Sequence, residues 1–165
     1  MAGTHTLAET ERQVTERLSS KTLDFESMAV VSNLFRAASA ARNHFERTVL
    51  HQHELSWTAF VVLWVVWIWE PIETRQIAEE GGFSKATLTG VLQTLEGRKL
   101  LTREKSQVDG RLVLVKLTTK GRKMMDTLFP EFNEQESSLA SVLPSKRKKE
   151  VAEALRLITE YAASN

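Results

Sequence analysis

The residues of this 165-residue chain best suited to chemistry lie between Ser84 and Lys123. Ten basic residues stand there: Lys85, Arg98, Lys99, Arg103, Lys105, Arg111, Lys116, Lys120, Arg122 and Lys123. Only Glu96, Glu104 and Asp109 oppose them, so the segment carries +7 inside a chain whose net charge is +1. A basic block in a near-neutral protein is the footprint of a face that binds polyanions. A solvated surface that happens to be basic is the competing account, and charge alone does not separate the two.

Other chemistries have little to rest on. The chain has no cysteine, which excludes disulfides, thiolate metal sites, iron–sulfur clusters, cysteine nucleophiles and thiol-based oxidation sensing. It contains no glycine-rich phosphate loop, no G-x-S-x-G elbow and no H-E-x-x-H, so an enzyme is not expected. His51 and His53 diverge on a helix, where facing positions are three or four apart. His44 and His51 share a face, but neutral surface histidines are the simpler reading. No metal and no cofactor are expected. The longest apolar run, Ala59 to Trp69, is eleven residues, against roughly 20 for a spanning helix. The first fifteen residues lack the pattern of a signal peptide. These features, with 42% hydrophobic and 26% charged residues, imply a soluble cytoplasmic protein.

The elements that must position the basic block are mostly helical. Residues 1–20 read as a loose arm or short helix. From Asp24, a reasonable N-cap, to about His53 the apolar positions Met28, Val31, Leu34, Phe35, Ala38, Ala41, Phe45 and Val49 recur at helical spacing. Ser56 caps a helix to Trp69 that is apolar nearly all round, hence buried on most sides, and Pro71 ends it. A short helix, 74–80, is closed by Gly81 and Gly82, and Ser84 caps the next, from Lys85 to about Arg98. The glycine-containing turn between these two has helix-turn-helix spacing. The period then changes: 100–105 and 112–117 read as strands joined by 106–111, with Asp109-Gly110 as a hairpin dipeptide in which glycine accepts positive φ. Thr118 or Thr119 caps a helix to about Leu139 with Met124, Leu128 and Phe132 in phase. Pro144 opens the last helix, with Val151, Leu155, Ile158 and Tyr161 in phase.

Helix, short helix, turn, helix, strand, hairpin, strand is the order of a winged helix-turn-helix. The expected fold is mainly α with a small β-hairpin wing, flanked by long N- and C-terminal helices. Their apolar stripes exceed what so small a domain can cover, which suggests a symmetric homodimer rather than an intramolecular bundle.

The chain resembles the MarR family of transcription regulators. The resemblance rests on Leu55-Ser56-Trp57-Thr58-Ala59-Phe60, on Ile77-Ala78, and on Phe83-Ser84-Lys85-Ala86-Thr87-Leu88-Thr89 with Leu95-Glu96. It rests also on Asp109-Gly110-Arg111 at the wing tip and on Leu117-Thr118-Thr119-Lys120-Gly121-Arg122 at the strand-to-helix junction. It covers about residues 25–160. Two positions depart from the family pattern: Lys99 stands where glycine is usual before the first wing strand, with Gly97 two residues earlier, and Gly90 where many relatives have arginine.

The resemblance implies double-stranded DNA as partner, read by two faces. With Leu88, Val91, Leu92 and Leu95 turned inward, the recognition helix shows Lys85, Ala86, Thr89, Gly90 and Gln93 to the major groove, with Thr87 near the edge. Ser84 and the helix N-terminus suit a phosphate, as does Lys85. Thr87, Thr89 and Gln93 are candidate base readers, and Ala86 can touch a thymine methyl. Each threonine and Gln93 has an idle solvent residue as its alternative. Arg111 is placed in the minor groove, whose narrow A·T stretches concentrate negative potential. Asp109, with Gly110 beside it, orients the wing by capping the turn or pairing with an arginine, or is a plain Asx-turn aspartate. Arg103, Lys105 and Lys116 are phosphate neighbours or solvated strand residues. Arg98 either reaches a phosphate or is a surface charge.

Family members commonly bind a small aromatic or phenolic compound between dimer helices and DNA-binding lobe. The four tryptophans lie within 57–69. They form either a bulky core helix or an aromatic wall for a flat ligand. Trp57, Trp64 and Trp67 are the candidates, with Phe35, Arg42, His44 and Phe60 as neighbours. The resulting expectation is a homodimeric, ligand-responsive repressor on a pseudo-palindromic operator. Its parts are an arm (1–23), a dimerisation helix (24–54), a DNA-binding lobe (55–123) and C-terminal dimerisation helices (124–165). A winged helix that binds protein instead of DNA is the alternative.

Overall fold

The computed structural model describes residues 5–164, so residues 1–4 of the expected arm lie outside the described part. The chain divides after Asn43 into two compact units. In the first, α1 (Leu7–Arg17) begins where Thr6 Oγ1 accepts the Glu9 N–H at 3.2 Å, and the arm is a true helix in this stretch. A second helix, α2 (Phe25–Thr48), starts as the sequence suggests: Asp24 accepts the Ser27 N–H at 2.9 Å and its hydroxyl at 2.6 Å. These contacts satisfy donors that a helix start leaves without intrahelical partners.

The expected continuation of α2 to His53 does not occur. The helix stops at Thr48, and Leu50–His53 form a 3-10 turn closed by Glu54 in the left-handed region, φ 53°. The reversal lets Val49, Leu50 and Leu55 all turn inward, with Leu55 N–H bonded to Leu50 C=O at 3.0 Å.

Ser56 caps α3 (Trp57–Trp69), its Oγ accepting the Ala59 N–H at 3.2 Å. Ala59, Phe60, Val62, Leu63, Val65 and Val66 are buried, but Trp64, Ile68 and Trp69 face solvent, so α3 is less enclosed than its composition suggests. After the cis Glu70–Pro71 peptide comes β1 (Ile72–Glu73), a strand too short for periodicity to reveal. Next are α4 (Thr74–Gly81), α5 (Lys85–Gly97), β2 (Leu101–Lys105) and β3 (Val113–Leu117). The three strands form an antiparallel sheet in the order β1-β3-β2, with Ile72 opposite Val115 and Arg103 opposite Val115 on its other side. Two long helices close the chain, α6 (Thr119–Ala140) and α7 (Ser145–Ser164).

Backbone geometry explains several sequence choices. At the end of α5, Lys99 adopts φ 59°, its N–H bonds to Glu96 C=O at 2.9 Å, and the Leu100 N–H bonds to Leu95 C=O at 3.0 Å. This is a Schellman motif, with Leu95 and Leu100 both fully buried as its apolar contact. The family's usual glycine fits the left-handed position; lysine holds it here. Gly121 has a different reason. A Cβ there would lie 1.9 Å from the Leu100 carbonyl oxygen, where Thr118 N–H and Oγ1 also bond at 3.0 and 3.3 Å.

The core of the second unit joins α3, α5, the sheet and α6. Leu63, Val62, Val66, Ile77, Leu92, Leu95, Leu100, Val115, Met125 and Leu128 are all fully enclosed. On α6 the inward stripe is Met125, Leu128 and Phe132, with Met124 half-buried beside it rather than within it. No residue of α7 is buried.

Candidate nucleic-acid interface

The two helices expected to read DNA are defined by their caps. Gln76 Oε1 accepts the Glu73 N–H at 3.2 Å at the start of α4, and Gly82, φ 65°, ends it. Phe83 then lies over Gly81, where any side chain would strike its ring. At the start of α5 the Ser84 hydroxyl accepts the Thr87 N–H at 3.1 Å and lies 2.8 Å from Thr87 Oγ1. Leu88, Leu92 and Leu95 turn inward and Val91 is half-buried. Lys85, Ala86, Thr87, Thr89, Gly90 and Gln93 are exposed together on the opposite side. Thr89 Oγ1 donates back to Lys85 C=O at 2.8 Å, which leaves its lone pairs outward. Nothing lies within 4 Å of a Cβ built on Gly90, so the face is open there.

The hairpin between β2 and β3 has an unexpected turn. Gly110 does not adopt positive φ; among the described residues only Glu54, Lys99 and Gly82 do. Side chains close the loop instead. Ser106 Oγ accepts the N–H groups of Val108 and Asp109 at 3.2 and 3.3 Å, and the Leu112 N–H reaches Asp109 C=O at 2.9 Å. The Asp109 carboxylate takes the Arg111 N–H at 3.0 Å and its guanidinium at 3.1 Å through Nε and Nη2. The two suggested roles of Asp109, turn cap and arginine partner, are thus combined. These Arg111 hydrogen bonds hold the Asp109 carboxyl below its ordinary value. The Arg111 side chain remains 91% exposed at the tip.

The remaining basic residues divide by partner. Arg103 pairs with Glu96, its Nε 3.0 Å from Oε2, and this contact holds the Glu96 carboxyl low. Lys116 lies 3.5 Å from Glu104, while Lys105 is exposed at the end of β2. Arg98 is committed to the fold: its guanidinium donates to the carbonyls of Glu54 and His53 at 2.6 and 3.0 Å. Arg122 pairs with Glu70, whose carboxylate also accepts the Leu117 N–H at 2.6 Å.

Arg75 escaped the sequence reading. It stands in the first turn of α4 and lines a groove of about 460 Å³ with Lys85, Thr89 and Arg103. The available signal was its place at the start of the first motif helix, which crosses the DNA backbone in this architecture. Ser106 escaped too; a serine three residues ahead of the wing-tip aspartate is a cue for side-chain turn closure.

The aromatic candidates separate. Trp57 and Phe60 join Phe45 and Phe132 in one stack, with Phe60–Phe132 centroids 4.3 Å apart and Phe45–Phe132 4.4 Å. That space is filled by rings. Trp67 packs on Phe129 at 5.3 Å, and Trp64 is exposed. His44 Nε2 meets Gln135 Oε1 at 3.1 Å, and His53 Nε2 meets Glu131 Oε2 at 2.9 Å. Phe35 and Arg42 belong to the first unit, and both are exposed. Among the described residues no cluster of three or more acidic or histidine side chains could hold a metal ion, and no helix is long and apolar enough to cross a membrane.

A helix-turn-helix followed by a two-stranded wing, with an exposed polar helix face and an arginine at the wing tip, defines a winged helix-turn-helix protein. Residues 55–113 match the MarR family. The chain is 35% identical over 140 residues to YwaE of Bacillus subtilis, an uncharacterized HTH-type transcriptional regulator, covering 85% of this chain and 82% of that protein. Its fold is similar to that of Bordetella bronchiseptica BpsR, a structure concerned with regulation of DNA binding by 6-hydroxynicotinic acid (TM-score 0.73, 26% identity, 79% of this chain and 98% of that one). It is similar also to S. aureus MepR, solved with DNA (TM-score 0.71, 23% identity, 79% and 96%). The chain belongs to the MarR family of transcription regulators.

Proposed function

We propose that the protein is a cytoplasmic homodimeric repressor that binds a pseudo-palindromic operator and releases it when a small aromatic or phenolic ligand binds. The observation that carries the DNA-binding part is the placing of two reading devices in one compact unit: the exposed face of α5 and the exposed, Asp109-oriented Arg111. Ser84, Lys85 and Lys105 serve phosphates, Thr87, Thr89 and Gln93 read bases, Ala86 touches a thymine methyl, and Arg111 enters the minor groove. Arg103 joins the phosphate contacts only when it leaves Glu96.

Dimerisation through residues 24–54 and 124–165 is supported by uncovered apolar side chains. On α7, Val151 and Leu155 are 42% and 41% exposed. On α2, Val31 and Phe35 are exposed as well. Two-fold symmetry then sets half-sites about one helical turn, ~10 bp, apart. Leu155→Glu should shift the protein toward monomer in sedimentation velocity and weaken operator binding with it. The ligand part is supported by BpsR, whose DNA binding is regulated by 6-hydroxynicotinic acid, and by the exposed Trp64.

The deciding experiment is fluorescence anisotropy with DNA from upstream of the protein's own gene, at two salt concentrations, beside unrelated DNA. Tight binding that prefers the upstream DNA and weakens with salt is the expected result, because each neutralised phosphate releases counterions. Weak, salt-insensitive binding without preference would favour a module that docks protein.

A further inference from the structure

The rings of Trp57, Phe60, Phe45 and Phe132 pack on one another, whereas the first unit carries an open groove of its own. There α1 and α2 face each other across a groove of about 360 Å³, within the usual range of small-molecule sites, about 300–1,000 Å³. Val14 of α1 and Phe25, Met28 and Ala29 of α2 give it apolar walls, and Arg36 is the only cation lining it among the described residues. The two helices are tied by Asn33 Nδ2 donating to Glu11 Oε1 at 2.6 Å.

Arg36 is what makes the groove more than an apolar cleft. Its Nη1, like Asn33 Oδ1 three residues away, is shielded from water and has no hydrogen-bond partner among the described residues. A guanidinium is matched best in charge and shape by a carboxylate entering the groove. Two acids also line the groove. Glu11 already accepts the Asn33 amide, and Glu26 stands ten residues from Arg36, about 15 Å along the helix axis. Phe25 is a residue farther still, so the apolar wall extends away from the cation along the length of the groove. The occupant that fits has one anionic end and a long apolar body.

We propose that the α1–α2 groove binds an elongated amphipathic monocarboxylate, its carboxylate on Arg36 and its chain along Val14, Met28, Ala29 and Phe25. The site stands on this geometry alone; any effect of its occupant on DNA rests on the ligand-responsive reading above.

The test is isothermal titration of the full-length protein with decanoate and with decanol, both below micelle-forming concentration. Saturable decanoate binding at least about tenfold tighter than decanol binding is expected, since the alcohol offers the guanidinium no charge. Arg36→Met should remove that preference. Ala29→Phe, which fills the groove and keeps the cation, should weaken both ligands; circular dichroism checks that each variant is folded. Absence of saturable binding at millimolar decanoate, equal binding of acid and alcohol, or a preference that survives Arg36→Met would each overturn the site. Operator anisotropy with and without decanoate separates the two readings. Saturable, Arg36-dependent binding that leaves DNA affinity unchanged supports the site and counts against ligand release through it.

Discussion

Asp109 grips Arg111 at three points, through the backbone N–H at 3.0 Å and through Nε and Nη2 at 3.1 Å, while the arginine side chain stays almost wholly exposed. The carboxylate fixes the direction of the guanidinium without covering it. Arg111→Ala should therefore lower operator affinity with little change in site preference and reduce the salt slope by about one phosphate contact. Asp109→Asn keeps the cation but loosens its aim, so a smaller, severalfold loss with an unchanged salt slope is expected. Anisotropy titrations across a salt series measure both; an unchanged affinity for Arg111→Ala at moderate salt would remove the wing from the interface.

Glu96 holds Arg103, the side chain proposed above to reach a phosphate when it is released. Glu96→Gln keeps the shape and deletes the charge, which frees the guanidinium for phosphate. The expected outcome is tighter binding to specific and unrelated DNA alike, with a steeper salt dependence. Weaker binding would show that the pair positions the wing rather than restraining it.

Lys99 occupies a left-handed position that costs a residue with a side chain about 1–2 kcal/mol. Lys99→Gly removes this strain and adds flexibility to the unfolded chain, a partial offset of about 0.4–1 kcal/mol. A net gain of about 0.5–1 kcal/mol in urea denaturation is expected. Because Lys99 also contributes to the basic block, DNA affinity should fall slightly as stability rises.

Gly121 packs its Cα against the Leu100 carbonyl. Gly121→Ala cannot be accommodated by a side-chain rotation, because the obstacle is backbone at 1.9 Å. The start of α6 must move away from β2, and a loss of about 3 kcal/mol or more is expected in the same denaturation assay. Lys120→Ala next to it serves as a control with a loss below about 1 kcal/mol.

Acid should weaken the protein through identified carboxylates. Asp24, Glu96 and Asp109 are held below ordinary values of 3.8, 4.5 and 3.8 by hydrogen bonds from Ser27, Arg103 and Arg111 respectively. A carboxyl whose folded value is depressed stabilises fully above its unfolded value and loses that contribution as pH falls through the folded one. Urea midpoints should thus decline below about pH 4. Asp24→Asn and Asp109→Asn should flatten the decline while lowering the plateau above it. Carboxyl chemical shifts followed by NMR locate each titration directly.

Much of the architecture was legible because its signals are local. Asp24, Ser56 and Ser84 were each readable as caps, and the α6 cap was narrowed to Thr118 or Thr119, of which Thr118 serves, since a short polar side chain before an apolar run has few other uses. The wing and the helix-turn-helix followed from a change of period and a glycine-bearing turn. The exposed face of α5 followed from the placing of Leu88, Leu92 and Leu95. The amino-acid sequence by itself thus determined where α2, α3 and α5 begin, which face of α5 is polar, and that the basic block contains the wing.

Tertiary structure decided the rest, wherever the outcome depends on what a side chain meets. Gly110 looked like the conformational hinge of the hairpin, yet Ser106 and Asp109 close the turn with side chains. Among ten similar cations, Arg98 was assigned to carbonyls of the fold, Arg103 to Glu96, and Arg111 to the open tip. Trp57 and Trp64 lie seven residues apart on one helix, but only Trp57 meets Phe45 and Phe132. Spacing fixes the direction in which a residue points along its own element; which neighbour it meets there depends on how the turn closes or how another element packs against it.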